Sequence, residues 1–216
     1  MSGGGGSTFY HTRNKLAAMP KIVDPDQRRR QILDAALHLI VTRGVDGLSF
    51  RTVAEESGLN VGSIRNTYPS QHDLLAAAAE DVGDSMDRRL ESHDLSGTPG
   101  THTVETAVAV LGELLPLDED RRRENIVLGE FMMASRTKDV FRDITDHMSG
   151  DMLSVVTAVL TGLGVPADRT PQAAMTIKTL MVGMTFDAST SHGALSPEGM
   201  TTLLTEALQS ASGRTH

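Results

Sequence analysis

Ser49-Phe50-Arg51-Thr52-Val53-Ala54-Glu55-Glu56-Ser57-Gly58-Leu59-Asn60-Val61-Gly62-Ser63-Ile64-Arg65-Asn66-Thr67-Tyr68 is the stretch on which the reading of this chain turns. Ser49 offers a side-chain acceptor to the free N–H groups of a first helical turn, so it predicts a helix start. Phe50, Val53 and Ala54 then fall on the inward face. Gly58 ends that helix, because glycine takes the left-handed conformation of a helix terminus without a Cβ penalty. Asn60 caps a second, short helix from Val61, and Pro69 stops it, since proline disfavours helix in the residue before it. Two short helices joined by a glycine turn, the second led by small polar residues, have the layout of a helix-turn-helix. There the first helix lies across the DNA backbone and the start of the second enters the major groove. Asn60 and Ser63 would reach the base edges, with Gly62 leaving room for close approach. Spacing alone does not separate this layout from an ordinary helical hairpin.

The flanking sequence extends the helical pattern in both directions. Upstream, Gln27 to Arg43 places Ile32, Ala36, Leu39 and Ile40 on one face, and Gly44 supplies a stop. Downstream, Ser70 and Asp73 stand at capping-box spacing and open a fourth helix through Leu74, Leu75 and the alanines to about His93. Asp94 to Gly100, with Gly97 and Pro99, reads as a linker. Beyond it Val104, Ala107, Val108, Leu111, Leu114 and Leu115 form a stripe that Pro116 ends. Ile126 to Ala134 is apolar nearly all round, as a buried helix would be. Phe141, Ile144, Met148, Met152, Val155 and Val159 step by three or four along a longer helix closed by Gly164 and Pro166. Thr170-Pro171 and Ser196-Pro197 each read as an N-cap with proline in the first helical position. They open two last helices carrying Ala174, Ile177, Met181 and Met184, then Met200, Leu203, Leu204, Ala207 and Leu208. No period-two pattern persists, so the fold class is all-α with about nine helices: a three-helix head at 21–70 and a larger helical domain at 71–216. Residues 1–20 are expected to be a disordered tail, with Met19 a more natural start.

Composition narrows the function classes. In 216 residues, 39% hydrophobic, no apolar run approaches the ~20 needed to cross a bilayer, so a globular protein with no membrane partner is expected. The N-terminus lacks an apolar segment of the secretory kind. The absence of cysteine excludes disulfides, thiolate metal sites and cysteine nucleophiles, and fits a cytoplasmic location. A net charge of -8 argues against a polyanionic partner only until it is counted by segment. From Met19 to Ser70 seven basic residues face six acidic ones; from Gln71 onward eleven face twenty-two. An acidic body bearing a near-neutral head fits a DNA-binding head, and equally fits ordinary variation between domains.

The head carries a resemblance. Gln31-Ile32-Leu33-Asp34-Ala35-Ala36, then Arg43-Gly44 with Leu48-Ser49-Phe50, Val53-Ala54-Glu55-Glu56-Ser57-Gly58, and Gly62-Ser63-Ile64 through Tyr68-Pro69-Ser70 to Leu74-Leu75 resemble the TetR/AcrR N-terminal domain, in order and without gaps, over about 28–79. The resemblance implies a homodimeric, usually repressing regulator without a cofactor. Helices 1 to 3 would bind a palindromic double-stranded DNA operator, helix 4 would link them to a small-molecule sensor domain, and the last two helices would pair across the dimer axis. Candidate DNA contacts are then Arg51 and Thr52 on the first helix of the motif, Asn60, Val61, Gly62, Ser63, Arg65, Asn66, Thr67 and Tyr68 on the second, and Gln71 and His72 just beyond.

Several positions depart from the commonest family pattern. Arg65 stands where a tyrosine usually contacts phosphate, Asn66-Thr67-Tyr68 replaces a typical His-Tyr-Phe, and Gln71 takes a place often held by lysine. Arg65 can bind phosphate, read guanine bidentately, or stand as a solvated arginine. Tyr68 reads first as a core residue holding helix 3 on helix 1, with phosphate contact second. Arg28, Arg29 and Arg30 can neutralise phosphate or form a solvated face.

Seven of the eleven methionines lie between Met132 and Met184. Flexible, polarisable methionine suits a ligand cavity, and a largely apolar effector pocket is expected from Leu111, Leu115, Phe131, Met132, Met133, Met148, Met152, Met175 and Met181; plain core filling explains the methionines equally well. Asp143, His147 and Asp151 share one helix face at a spacing seen in metal ligands, but with no second cluster pointing at them a solvated face is the stronger reading, and no metal is expected. An enzyme is disfavoured, since Gly-x-Ser-x-Gly, His-Glu-x-x-His, P-loop and dinucleotide patterns are all missing. The remaining alternative is a helical interaction module without sequence-specific DNA binding.

Overall fold

A computed structural model of the chain describes residues 24–190 and 195–213; the expected tail and the start at Met19 lie outside them. The described residues contain nine α-helices and no strand: α1 (Pro25–Arg43), α2 (Phe50–Ser57), α3 (Val61–Thr67), α4 (Gln71–Leu90), α5 (Val104–Gly112), α6 (Glu119–Ala134), α7 (Arg142–Gly162), α8 (Thr170–Ser189) and α9 (Pro197–Ser212). No described helix is long and apolar enough to cross a membrane.

The starts of the head helices are local chemistry. Ser49 Oγ accepts from the Thr52 N–H while Thr52 Oγ1 accepts from the Ser49 N–H, a reciprocal cap for α2. Gly58 closes that helix at φ 70° and ψ 12°, the left-handed region. Asn60 Oδ1 accepts from Ser63 N at 2.8 Å to open α3. Ser70 and Asp73 exchange the same pair of bonds at α4. Each such cap stabilises its helix by about 1 kcal/mol. Together they fix where α2, α3 and α4 begin.

Five boundaries differ from the sequence reading. α1 starts two residues earlier, at Pro25, because Asp24 caps it. α4 ends at Leu90 rather than His93. α5 ends at Gly112, so Leu114 and Leu115 of its expected stripe lie in the turn beyond it, where their N–H groups donate to the Leu111 and Gly112 carbonyls. α6 begins at Glu119, ahead of the apolar run, because Asp118 accepts from Arg121 N at 2.8 Å; nor is that run buried all round, since Met133 is 53% exposed. Thr170 is the first residue of α8 rather than its cap, and its hydroxyl donates back to the Val165 and Pro166 carbonyls.

Burial gathers the helices around two cores. The first joins α1, α2 and α3 to the first half of α4, through Leu74, Leu75, Ala78 and Val82, and continues into Val127 and Phe131 of α6 and Phe141 ahead of α7. The Phe131 and Phe141 rings stack at 5.2 Å. The second joins α5, α7, α8 and α9 through Leu111, Val156, Leu160, Ile177, Met181 and Leu204. The expected linker folds back on α7, where the Gly100 and His102 N–H groups both donate to the Gly162 carbonyl. Gly162 is required there, since a Cβ would lie 2.4 Å from the His102 ring. The first core therefore runs across residue 70 and takes in the far end of α6. A hydrogen bond from the Val45 N–H to Glu130 Oε2 at 3.0 Å and an ion pair between Lys138 and Asp46 reinforce that docking.

Candidate DNA interface and effector cavity

α3 presents two faces. Ile64 and Tyr68 point inward, fully buried or nearly so, while Val61, Gly62, Arg65 and Asn66 point outward, with Asn60 exposed at the cap. Ser63 and Thr67 are half-buried, and the Thr67 hydroxyl donates to the Ser63 carbonyl. The Arg65 guanidinium lies 5.5 Å from the Phe50 ring centroid, so a cation–π contact rests it along α2. Arg51 is exposed and pairs with Glu55 one turn on. His72 is exposed at the start of α4.

Three of the twelve candidate DNA contacts are occupied in holding the head together. Thr52 spends its hydroxyl on the α2 cap and on the Gly47 carbonyl. The Gln71 amide donates to the Leu48 carbonyl at 2.7 Å, pinning the start of α4 to the turn before α2. Tyr68 is 3% exposed, and its ring carries the Arg29 guanidinium 5.4 Å from its centroid. Burial pushes the phenol pKa up, with Arg29 pulling the other way. The phenol oxygen has no hydrogen-bond partner among the described residues. The place of Tyr68 is thus the core between α1 and α3, because a bulky ring at the inward period of α3 has nowhere else to pack.

A cavity of about 170 Å³ opens between α4, α6, α7 and α8. Its apolar wall includes Met86 and Leu90 of α4, Leu128 and Met132 of α6, Met148, Met152 and Val155 of α7, and Val182 of α8. Asn125 and Thr185 add buried polar groups, whereas Asp87, Ser149 and Asp151 are exposed. Lys178 lies in the wall, donating to the backbone carbonyl and hydroxyl of Ser149 across the α7–α8 seam.

Of the residues expected to form the pocket, Met132, Met148 and Met152 stand in this wall. Leu111, Leu115 and Met181 are instead sealed in the second core, and Phe131 in the first. Met133 and Met175 face outward, 53% and 52% exposed. Helical phase explains the division. On α6 the cavity receives residues 125, 128 and 132, while 127 and 131 face the head; on α8 it receives 178, 182 and 185, while 177 and 181 are buried in the second core. Met86, Asn125, Lys178 and Thr185 join the wall without having been among the expected pocket residues. The available signal was that Asn125 precedes Leu128 and Met132 at i+3 and i+7, on the same helix face.

Next to the cavity, α4 is clamped to α6. Arg89 donates to Glu124 Oε1 at 3.0 Å and Oε2 at 2.6 Å in a bidentate pair, and also to the Glu113 carbonyl. Ser85 donates to the same Glu124 carboxylate, and Arg121 binds the Glu113 carboxylate. Hydrogen bonding to Glu124 raises the Arg89 pKa above the ordinary guanidinium value. Arg89 adjoins Leu90 and Glu124 adjoins Asn125 in sequence, so the clamp stands directly beside the cavity wall. α6 thereby reaches both places: the cavity through Asn125, Leu128 and Met132, and the head through Val127, Glu130 and Phe131. α6 thus shares with α4, the expected link, the role of joining cavity and head.

Asp143, His147 and Asp151 are exposed on α7, with His147 Nε2 3.8 Å from Asp151. Among the described residues no three such side chains come close enough together to hold a metal ion.

Comparison with known proteins supplies the family. Residues 32–78 match the tetR family of bacterial regulatory proteins, and residues 104–212 match the C-terminal domain of BetI-type transcriptional repressors. The HTH-type transcriptional regulator PksA of Bacillus subtilis (strain 168) is 32% identical over 142 residues, covering 64% of this chain and 66% of that protein, just under two thirds of its length. In fold, the chain is similar to a transcriptional regulator from Rhodococcus sp. Rha1, at TM-score 0.76 and 22% identity over 87% of this chain and 98% of that one. It is also similar to a regulator from Saccharomonospora viridis solved in complex with choline, at TM-score 0.71 and 22% identity over 85% and 96%. With its head and its C-terminal domain both matched, the chain belongs to the TetR family of bacterial transcriptional regulators.

Proposed function

We propose that the chain is a cytoplasmic, ligand-responsive repressor that binds a palindromic operator as a homodimer and leaves it when a small effector fills the α4–α8 cavity. The observation that carries this reading is the sharing of elements: α4 and α6 each wall the cavity and each pack into the core of the head. A ligand that fits one arrangement of those helices better than another biases the head's position by its differential affinity. By linkage, operator DNA weakens effector binding by the same factor, about 5- to 150-fold for a coupling of ~1–3 kcal/mol. The outward residues of α3, Arg65 and Asn66 foremost, are the base and phosphate contacts. The choline-bound state of the similar Saccharomonospora viridis regulator supports a small-molecule site in this fold.

Dimerisation through α8 and α9 draws support from α8 itself. Met175 is 52% and Phe186 62% exposed, and at eleven residues apart they share one face of the helix. Large apolar side chains exposed in register are what a partner copy covers. Selection of duplexes from random DNA by the purified full chain is the test. The expected consensus is an inverted repeat with half-sites about one helical turn, or somewhat more, apart. A non-palindromic consensus, no enrichment, or a monomer in light scattering at micromolar concentration contradicts the proposal.

A further inference from the structure

The cavity has one polar corner, and its unused hydrogen-bonding capacity specifies a ligand group. Asn125 of α6 is 2% exposed and Thr185 of α8 is 5% exposed, and both stand in the wall. Asn125 Nδ2 donates to the Arg121 carbonyl at 2.8 Å, and its Oδ1 accepts the Thr185 hydroxyl at 3.2 Å. A flipped amide would set two acceptor oxygens against each other at Arg121, so this orientation is fixed. A carboxamide carries two N–H donors, and a hydroxyl carries one donor and two acceptor lone pairs. Once the two bonds are made, one N–H of Asn125 and the lone pairs of Thr185 remain. A hydroxyl group completes both by accepting from Asn125 and donating to Thr185.

Around that corner the wall is mainly Leu, Val and Met, and among the described residues no aromatic ring lines the cavity, so it offers no face on which to hold a cation. Asp87 and Asp151 are exposed and keep their water. A charged group brought to the corner would lose its hydration, which is costly, and find there only the neutral Asn125 and Thr185, while the one cation that the described residues place in the wall, Lys178, is engaged by the Ser149 carbonyl and hydroxyl. A bare hydrocarbon would leave the Asn125 N–H and the Thr185 lone pairs unsatisfied. The volume of about 170 Å³ is close to that of an apolar cavity of ~150 Å³ that takes up benzene. We infer that the effector is a small, neutral, largely apolar molecule, about the size of one substituted ring, whose hydroxyl is held between Asn125 and Thr185. This rests on the reading of the cavity as the effector site.

A probe series of nearly constant shape tests it: toluene, p-cresol, p-toluate and 4-methylbenzylammonium, titrated calorimetrically into the full chain and scored for release of the selected duplex. p-Cresol should bind about tenfold or more tighter than toluene, from two added hydrogen bonds, and more tightly than either charged analogue. Thr185→Val and Asn125→Leu should each reduce that preference while leaving toluene binding in place. Equal binding of toluene and p-cresol, tighter binding of either ion, or a preference that survives both substitutions overturns the inference. The wild-type series decides by itself should a variant fail to fold. Toluene that binds and releases DNA without any hydroxyl preference sinks only this inference; failure of all four probes to bind sinks the cavity as effector site as well.

Discussion

Replacing Glu130 with alanine removes the acceptor of the Val45 N–H, a bond that joins the sensor side of the molecule to the head across 85 residues of sequence. Val45 is 4% exposed, so its N–H would lose its acceptor where water has little access. A hydrogen bond to a charged acceptor contributes about 1.5–3 kcal/mol. Glu130 itself is half-buried, so water already competes for its carboxylate, and the loss expected for Glu130→Ala is about 1–2 kcal/mol. At this chain length that corresponds to a fall in Tm of roughly 2–8 °C. Glu130→Gln keeps an acceptor oxygen and gives up only the charge assistance, so it should lose less than about 1 kcal/mol. Lys138→Ala is the internal control: its ion pair with Asp46 is more exposed, and its removal should change stability by under about 1 kcal/mol. Equilibrium urea unfolding of the three variants reads these differences. Glu130→Ala as stable as the parent, or Glu130→Gln as damaged as Glu130→Ala, would refute the claim that this bond holds α6 to the head.

Two further effects follow from local geometry. Gly162→Ala places a methyl group 2.4 Å from the His102 ring and should cost about 1–3 kcal/mol in urea unfolding; His102→Ala in the same chain should recover most of it, and purely additive losses would contradict the packing account. Asp73 accepts from the Ser70 N–H and hydroxyl, which holds its carboxyl below the usual range. A pKa lowered in the folded state gives stabilisation that is present above the unfolded value of about 3.9 and lost as pH falls through the folded one. The difference in urea midpoint between the parent and Asp73→Asn should therefore narrow from pH 7 to pH 3, and a constant difference would count against the capping role.

The head was legible because its signals are local. Ser49, Asn60 and Ser70 each open a helix through bonds to the residue three on, Gly58 closes one by taking the left-handed conformation, and all four act there as the sequence implies. The cavity was not, because phase within a buried helix depends on partners distant in sequence. Ile126 to Ala134 reads as apolar all round, yet one turn of α6 sends Phe131 to the head, Met132 to the cavity and Met133 to solvent. Leu111 and Met181 have the composition of a pocket wall and lie against α9 and α7 instead. Asn125 stayed hidden for a related reason: a lone asparagine before an apolar run looks like a boundary, and only the approach of Thr185, 60 residues later, gives it a partner.

The central claim is that the outward face of α3 reads DNA, and Arg65 tests it most directly. Its side chain is exposed and rests on Phe50, outside both cores, so Arg65→Ala should leave the thermal unfolding transition in place. Fluorescence anisotropy of the selected operator duplex at fixed salt should show affinity weakened by about 1–3 kcal/mol, roughly 5- to 150-fold, with preference relaxed at one base pair of each half-site. Unchanged affinity and unchanged sequence preference in a normally folded Arg65→Ala protein would contradict the account.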